Sequence, residues 1–262
     1  MKIVADTHLH LYPCYDLGIT LAGLMRRLRG LEGGAGALMA FLAEKPDCHF
    51  FSDLRTGRIK PGPGLEVCPS GESDAIVMKS GGGESLYLFS GRQIVSAERI
   101  EALALTTDTA IPNGLPLSDT VSRIADSGGV PVLSWAPGKW FFNRGDVVAG
   151  LIRRTSPRQM LLGDSTLRPM LWPEPAITRM AMELGYRVVA GSDPLPFSGE
   201  GKLAGCYATS FDADVDLAKP VTSIKALFRS EAFNPRRIGR RNLPVQLAIR
   251  LFRNVLAKRK AQ

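Results

Sequence analysis

The sequence predicts an α/β fold, specifically a TIM-like (β/α) barrel, either regular or distorted to seven strands, that ends in a basic helix. Three observations predict it. Strand patterns alternate with helix patterns along the second half of the chain, which indicates βαβ units and a parallel sheet. The 262 residues suit one such barrel, or two small domains. Predicted strands end in polar or aromatic clusters beside Gly or Pro, and functional groups of α/β barrels lie at those strand ends.

The charge is concentrated at the C-terminal end. The net charge is +8, and residues 232–262 contain nine basic and no acidic side chains, which leaves residues 1–231 at −1 (8 − 9). We therefore divide the chain into a nearly neutral barrel, residues 1–231, and a basic tail, residues 232–262. The first strand pattern is too short for a signal peptide, and no stretch approaches the ~20 apolar residues of a membrane helix, so we expect a cytoplasmic protein. The four cysteines form no Cys-x-x-Cys pair and are expected to be free thiols.

The first half of the chain has the weaker patterns. Predicted strands cover residues 2–6, 48–51, 75–78 and 86–90, predicted helices cover 17–30 and 37–44, and 53–73 is a predicted loop. The strands 75–78 and 86–90 are joined across Gly81-Gly82-Gly83. They can form a hairpin, which a purely parallel barrel would not contain.

The second half has clearer boundaries. Predicted strands cover residues 129–135, 159–163 and 187–191, and predicted helices cover 117–127, 146–154 and 173–184. Ser118 is a candidate N-cap, and Pro173 suits a first helical turn. In the tail, residues 234–241 form a predicted basic loop, and 243–256 have the apolar spacing of an amphipathic helix.

The most informative motif follows the first strand and reads Asp6-Thr7-His8-Leu9-His10. Residues i and i+2 of a strand point to the same side, so both imidazoles can converge on one divalent metal. Histidines with carboxylates from other strands are a usual ligand set for Zn, Fe or Mn in hydrolytic sites. The alternative is that two of the chain's three histidines stand together in a loop by chance.

This motif, together with Gly191-Ser192-Asp193-Pro194 late in the chain, resembles the metal-dependent hydrolase superfamily of amidohydrolases and polymerase and histidinol phosphatase (PHP) domains. The resemblance implies that His8, His10 and Asp193 bind metal and activate water to attack an amide or phosphoester. Glu66 resembles the third-strand glutamate ligand of PHP domains. Trp135 and Leu195 stand where these families often carry further histidines. A non-catalytic ligand-binding protein on a degenerate hydrolase barrel is therefore the alternative.

Other residues at strand ends are further candidates. Asp164 or Asp193 can act as a ligand, a general base or a helix cap. The segment Trp135-Ala136-Pro137-Gly138-Lys139-Trp140 either forms a substrate-binding wall, with Lys139 for an anion, or packs its tryptophans into the core. Arg144 and Arg168 can clamp a phosphate or carboxylate of a small-molecule substrate.

The tail helix leaves two interpretations open. A basic amphipathic helix can lie on an anionic membrane or bind nucleic acid. A terminal helix can also pack its apolar stripe on the barrel and leave its charges in solvent. Aromatic residues do not alternate with the basic ones, which weakens the nucleic-acid interpretation.

Overall fold

The computed structural model describes residues 1–260 and contains two β-sheets and seven α-helices in that range, so the α/β class is confirmed. The strands are β1 (Lys2–Leu9), β2 (Ala37–Leu42), β3 (Leu65–Pro69), β4 (Ala75–Ser80), β5 (Ser85–Phe89), β6 (Gly91–Val95), β7 (Glu101–Leu105), β8 (Val130–Ser134), β9 (Leu161–Ser165), β10 (Val188–Gly191), β11 (Tyr207–Asp212) and β12 (Arg236–Gly239). The α-helices are α1 (Leu17–Leu31), α2 (Phe50–Arg55), α3 (Leu117–Asp126), α4 (Asn143–Arg154), α5 (Ala176–Glu183), α6 (Pro220–Phe228) and α7 (Pro244–Lys260).

The strands do not form one closed parallel sheet. A seven-stranded sheet has the order β12-β11-β1-β2-β5-β4-β3, and a five-stranded sheet has the order β10-β9-β8-β7-β6. Strands β1, β2 and β5 are parallel, as are β8, β9 and β10, while every other pair is antiparallel. The predicted hairpin across Gly81–Gly83 is confirmed as the β4–β5 pair. Such hairpins interrupt the parallel order that a regular TIM barrel requires.

The two sheets meet along two seams. At the first, Thr7 Oγ1 donates a hydrogen bond to the Ala190 carbonyl (2.9 Å). A Cβ built on Gly191 would lie 2.5 Å from the Cβ of His8, so β10 comes this near to β1 only with glycine there. At the second seam, the Glu44 amide donates to the Gly91 carbonyl (3.0 Å). These contacts bring the ends of β1, β2, β8, β9 and β10 to the same region.

The core between the sheets explains which strand residues face inward. One apolar cluster takes residues from both sheets and from α6, with Phe41 and Phe89 stacked at its centre (centroids 4.5 Å apart) and Phe228 beside them. Along β1, β8 and β9, its residues come from the first half or the middle of each strand. The carboxyl ends of the same strands therefore remain available for polar side chains.

Four predicted segments are wrong, each for a local reason. Residues 37–44 contain good helix formers, but their first six residues form β2, because all six are buried between β1 and β5. Residues 48–51 precede and begin α2 instead of forming a strand. The predicted loops at 53–73 and 234–241 contain β3 and β12, which pair with β4 and β11.

The predicted tail helix is confirmed as α7, which extends to Lys260. Among the described residues, no helix combines the length and the apolar content needed to cross a bilayer.

Candidate metal centre

A register shift in β1 turns both imidazoles toward the inside. Up to the shift, Ile3 and Ala5 belong to the cluster between the sheets, while Val4 packs on the outer side. Between Asp6 and Leu9 the pairing with β2 changes register, and Leu9 then belongs to the outer cluster. Because side chains alternate along a strand, the inward set changes from odd to even numbers at this point. The side chains of His8 and His10 therefore face the space between the sheets.

His8, His10 and Asp193 form a group in which one ligand atom from each residue lies within 4.8 Å of the others. The Nε2 atoms of the two imidazoles are 3.1 Å apart, and Asp193 Oδ1 is 3.6 Å from His8 Nε2 and 3.5 Å from His10 Nε2. Ligands at about 2.0–2.1 Å from a tetrahedral metal are about 3.3 Å apart. The three atoms thus have the spacing of one face of a metal tetrahedron.

Asp193 reaches this group through an unusual backbone conformation. Its φ is +47°, in the left-handed region that Asp tolerates better than most residues, and its amide donates to the His8 carbonyl (2.9 Å). Burial alone would raise the pKa of the Asp193 carboxyl, but His8, His10 and Arg250 attract its charge and lower the pKa below its usual value. Asp193 is therefore a carboxylate at neutral pH, the form that binds metal.

His10 is held in its neutral form. Complete burial, with repulsion from His8, lowers its pKa to about 3. Its ring is stacked on Tyr12, with centroids 5.4 Å apart. A neutral imidazole has the lone pair that a metal ligand needs.

Two serines that sequence reasoning missed support the ligands from behind. Ser134 Oγ, at the end of β8, is 3.2 Å from His8 Nδ1, and the Ser165 side chain, at the end of β9, hydrogen-bonds Asp193. Such outer partners fix the ring orientation and tautomer of metal-binding histidines. Ser134 lies within the predicted strand 129–135, but Ser165 lies beyond the predicted strand 159–163, so the strand patterns did not bring the two serines together.

Asp6 joins the two sheets instead of facing the ligands. Its carboxyl accepts hydrogen bonds from the Ser192 amide (2.9 Å), the Ser192 hydroxyl (2.5 Å) and the Gly205 amide (2.9 Å). Complete burial raises its pKa, against the opposing effect of these bonds. The motif residue Asp6 thus positions the chain just before Asp193.

A cavity of about 200 Å³ opens beside the three ligands. His10 and Asp193 belong to its wall, together with further residues from several elements, namely Tyr12, Lys45, Gln93, Glu101, Ala136, Pro137, Lys139, Leu167, Leu195, Pro196, Leu251 and Asn254. Lys139 Nζ is 3.1 Å from Glu101 Oε1. Asn254 Oδ1 is buried and, among the described residues, has no hydrogen-bond partner. The cavity therefore offers ammonium groups and an unpaired amide oxygen next to the ligand group.

The structure does not bring Glu66 or Asp164 to this group. Glu66 is exposed on β3, the outermost strand of the larger sheet. Asp164 faces the outer side of β9, where it accepts hydrogen bonds from Arg168 Nη2 (2.5 Å), Tyr207 Oη (2.8 Å) and Arg237 Nη1 (3.1 Å). Burial opposes ionisation of Asp164, but these partners lower its pKa. Asp164 and Arg168 thus neutralise each other in a structural cluster.

Of the predicted substrate-binding residues, only Lys139 lines the cavity. Trp135 and Trp140 are 2% and 4% exposed and pack in the apolar cluster on the outer side of the five-stranded sheet. Trp135 follows Ser134, so alternation along the strand turns it outward when Ser134 faces His8. Arg144 lies in the first turn of α4 and is half-buried.

A buried ion pair that contacts the backbone of Asp193 was also missed. Arg250 of α7 donates to Glu200 (Nη2 to Oε2, 2.6 Å), to the Thr166 hydroxyl (2.9 Å) and to the Asp193 carbonyl (3.2 Å). Glu200 in turn accepts from the Leu195 amide (3.0 Å). The sequence contains no local signal for this contact, because Arg250 is 50 positions from Glu200 and 57 from Asp193.

Glu44 is a buried carboxyl that we expect to make stability depend on pH. Burial raises its pKa to about 7, because its Oε2 is 3.7 Å from Arg92 Nη1 and that guanidinium is bound more closely by Asp108 (2.5 Å). In the unfolded chain the carboxyl titrates near its ordinary value of 4.5. The folded state therefore holds the proton more tightly, and the stability this contributes is present below pH 4.5 and is lost as the pH rises through 7.

The variant Glu44→Gln tests this expectation, since the glutamine oxygen can still accept from the Phe51 amide, as Glu44 Oε1 does (2.8 Å). Urea unfolding at pH 5 and pH 8 is expected to show that the natural protein loses stability relative to the variant, on the order of 2 kcal/mol over this range, because His10 and the other titrating groups contribute equally to both proteins. Equal pH dependence of the two proteins would show that Glu44 is already ionised when folded.

Comparisons with known proteins show a shared fold. No protein-family model and no curated protein matches the sequence. PsfC from Pseudomonas syringae PB-5123 is similar in structure (TM-score 0.55, 13% identity, 100% of this chain and 99% of that one). The lesion-specific endonuclease PfuEndoQ from Pyrococcus furiosus is similar over 90% of this chain and 58% of its own length (TM-score 0.51, 11% identity). A two-domain protein from Bacteroides vulgatus ATCC 8482, described as containing a predicted PHP-like metal-dependent phosphoesterase, has a lower TM-score of 0.49 at 12% identity, over 90% of this chain and 64% of that one. At such identities the likeness is one of fold.

Proposed function

We propose that the protein is a metal-dependent hydrolase of the PHP type that cleaves a phosphoester. The observation that carries this proposal is the group of His8, His10 and Asp193, whose ligand atoms have metal-ligand spacing beside a cavity. The pair of sheets, joined at the β1–β10 and β2–β6 seams, is interpreted as the distorted form of the barrel predicted from the sequence.

The donor set fits a divalent cation of the Zn, Mn or Fe class. Two imidazoles and one carboxylate are three protein ligands, the number that catalytic zinc sites use with a further position for water or substrate. Both ligand types bind in the protonation state that the site favours, because burial keeps His10 neutral and its surroundings keep Asp193 ionised. When bound, such a cation supplies Lewis acidity and lowers the pKa of water toward ~7.

The chain's own groups favour an anionic substrate over a neutral amide. Lys45 and Lys139, the latter paired with Glu101, line the same cavity as Asp193, and their ammonium groups can attract the non-bridging oxygens of a phosphoester. Asp193 is the ionised group next to the reacting centre, and it can accept a proton released there. The buried wall, including Tyr12 and Leu195, limits the access of bulk water to the substrate.

A non-catalytic ligand-binding protein on this fold is the second candidate. The observation that favours it is the small ligand set: in residues 1–260, His8, His10 and Asp193 are the only group of metal-binding side chains at this spacing. Leu195 lines the cavity where PHP domains often carry a histidine, and a serine, Ser134, faces His8 from the end of β8.

Removal of metal distinguishes the two candidates. Hydrolysis of bis(p-nitrophenyl) phosphate is measured before and after dialysis against a chelator, and after adding back one equivalent of Zn²⁺, Mn²⁺ or Fe²⁺. We expect the rate to fall roughly 100-fold or more and to return with one of the metals. Hydrolysis that survives chelation would contradict the proposal. Stoichiometric metal without turnover of phosphoester or p-nitroanilide amide would support the binding protein.

A further inference from the structure

Large apolar side chains are exposed in three segments around the mouth of the cavity. Phe142, in the loop after β8, is 89% exposed, and Leu171, in the loop after β9, is 77% exposed. In α7, Val245 and Phe252 are 70% and 64% exposed. Exposed neighbours in these segments are Phe141, Met170, Trp172, Leu243, Ile249, Val255 and Leu256. Single exposed apolar residues are ordinary, but a patch of this kind indicates an interaction site.

Helix α7 has two different apolar faces. Leu247 and Leu251 pack toward the cavity with Leu167 and Leu195, and Arg250 is buried on the same side. Residues 245, 249, 252 and 256 recur at helical spacing on the opposite side and are exposed. The packing of α7 against the rest of the protein thus buries its inner apolar face and leaves its outer apolar face in solvent.

The three segments are connected. The Met170 amide donates to the Asn242 carbonyl (2.8 Å), and Arg241 Nη2 donates to the Met170 carbonyl (3.1 Å). The rings of Phe141 and Trp172 are stacked, with centroids 6.5 Å apart. Because Lys139 and Leu251 also line the cavity, the patch borders the entrance of the candidate site.

The charge of these segments is entirely basic. Residues 139–144, 168–173 and 232–260 contain no Asp or Glu. Arg240, Arg253 and Arg259 are exposed on or beside α7. Two copies of this chain joined through the patch would place these like charges against each other, because a symmetric dimer contacts through the same surface. The binding partner must therefore have a negatively charged surface over an apolar interior.

We propose that this patch binds the surface of an anionic lipid bilayer, with α7 lying in the interface plane. Phe142, Leu171 and Phe252 enter the acyl boundary, and the arginines contact lipid phosphates, as in interfacial amphipathic helices. Nucleic acid would satisfy the arginines but leave the aliphatic Val245 and Ile249 in water. The inference does not depend on the metal centre, but it places the cavity entrance at the membrane.

Trp172 provides a direct readout, because it is 43% exposed while the other two tryptophans of the chain are buried. The full chain is mixed with vesicles of neutral phosphatidylcholine or with 30% phosphatidylglycerol added, and sedimentation and tryptophan emission are recorded. Binding to the anionic vesicles only, with a blue shift that Trp172→Phe removes and a decrease in 0.5 M NaCl, is expected.

Two variants in separate elements test the patch, and both change exposed residues, so folding is retained. Ile249→Ser/Phe252→Ser and Phe142→Ser/Leu171→Ser are each expected to lower vesicle partition at least tenfold, on the order expected for removing several buried methylene groups. Met182→Ser/Leu184→Ser is the matched control, because these exposed residues lie at α5, outside the patch.

Three results would overturn the inference. These are equal sedimentation with neutral and anionic vesicles, unchanged partition of both patch variants, or a concentration-dependent dimer that the same variants abolish. Tighter binding to duplex or single-stranded DNA than to anionic vesicles, lost in Arg253→Gln but kept in Ile249→Ser/Phe252→Ser, would assign the surface to nucleic acid instead.

Discussion

The variants His8→Ala, His10→Ala and Asp193→Asn are expected to lose metal binding and to reduce phosphoester hydrolysis by roughly a thousandfold or more each. Each ligand supplies one corner of a triangle with edges of 3.1, 3.5 and 3.6 Å, so two remaining ligands cannot hold the cation in the same place. Because all three side chains are buried, solvent cannot easily replace a lost ligand. Metal content and hydrolysis rate are measured on the same preparations.

The third histidine of the chain is the matched control. His49 is exposed before the first turn of α2 and does not belong to the ligand group. His49→Ala is expected to keep full metal content and rate. If it loses metal as the others do, the binding seen in the natural protein is adventitious. If His8→Ala and His10→Ala keep natural rates, the reaction takes place elsewhere on the molecule.

The variant Arg250→Met is expected to destabilise the protein by about 3–5 kcal/mol. The guanidinium is 7% exposed and the Glu200 carboxylate 5%, so removing the cation leaves a buried, uncompensated negative charge. Arg250 also donates hydrogen bonds to the Asp193 carbonyl and the Thr166 hydroxyl, so the change also removes contacts that attach α7 to the rest of the protein. Urea unfolding of the natural and variant proteins measures the loss.

Two further proteins make this result specific. Arg253→Met changes an exposed arginine one turn further along α7 and is expected to cost less than about 0.5 kcal/mol. Arg250→Met/Glu200→Gln removes both charges while leaving an oxygen for the Leu195 amide, and it is expected to recover part of the stability. A double variant that is no more stable than Arg250→Met would contradict the buried pair as the cause.

Local sequence patterns predicted the elements whose buried residues recur at a regular spacing along the chain. Helix α1 and the tail helix α7 were found by their apolar spacing, and the β4–β5 hairpin by its glycine turn. Strand β2 was mistaken for a helix because both its faces are buried, so that its sequence has no alternation to read.

The candidate site was predictable only in part. The spacing of His8 and His10 indicated that their imidazoles converge. Their inward direction, however, depends on the register shift between Asp6 and Leu9, which no residue type in the sequence indicates. Asp164 lies near the end of β9 and Asp193 follows the neighbouring strand β10, in similar sequence contexts. Asp164 faces out because Ser165 faces in, whereas Asp193 reaches the ligands only through its left-handed backbone conformation after β10.

The partners of the site come from distant parts of the chain. Arg250 and Glu200 pair across 50 positions, and Ser134 meets His8 across 126. Such contacts result from the packing of complete elements, and a single sequence does not contain them as a local pattern.

The most direct measurement is a crystal structure of the protein grown with one equivalent of Zn²⁺ or Mn²⁺, with anomalous diffraction recorded at the metal edge. We predict one strong anomalous peak about 2.0–2.2 Å from His8 Nε2, His10 Nε2 and Asp193 Oδ1. Imidazole rings that point apart, or a metal bound at other residues while these three atoms have none between them, would contradict the account.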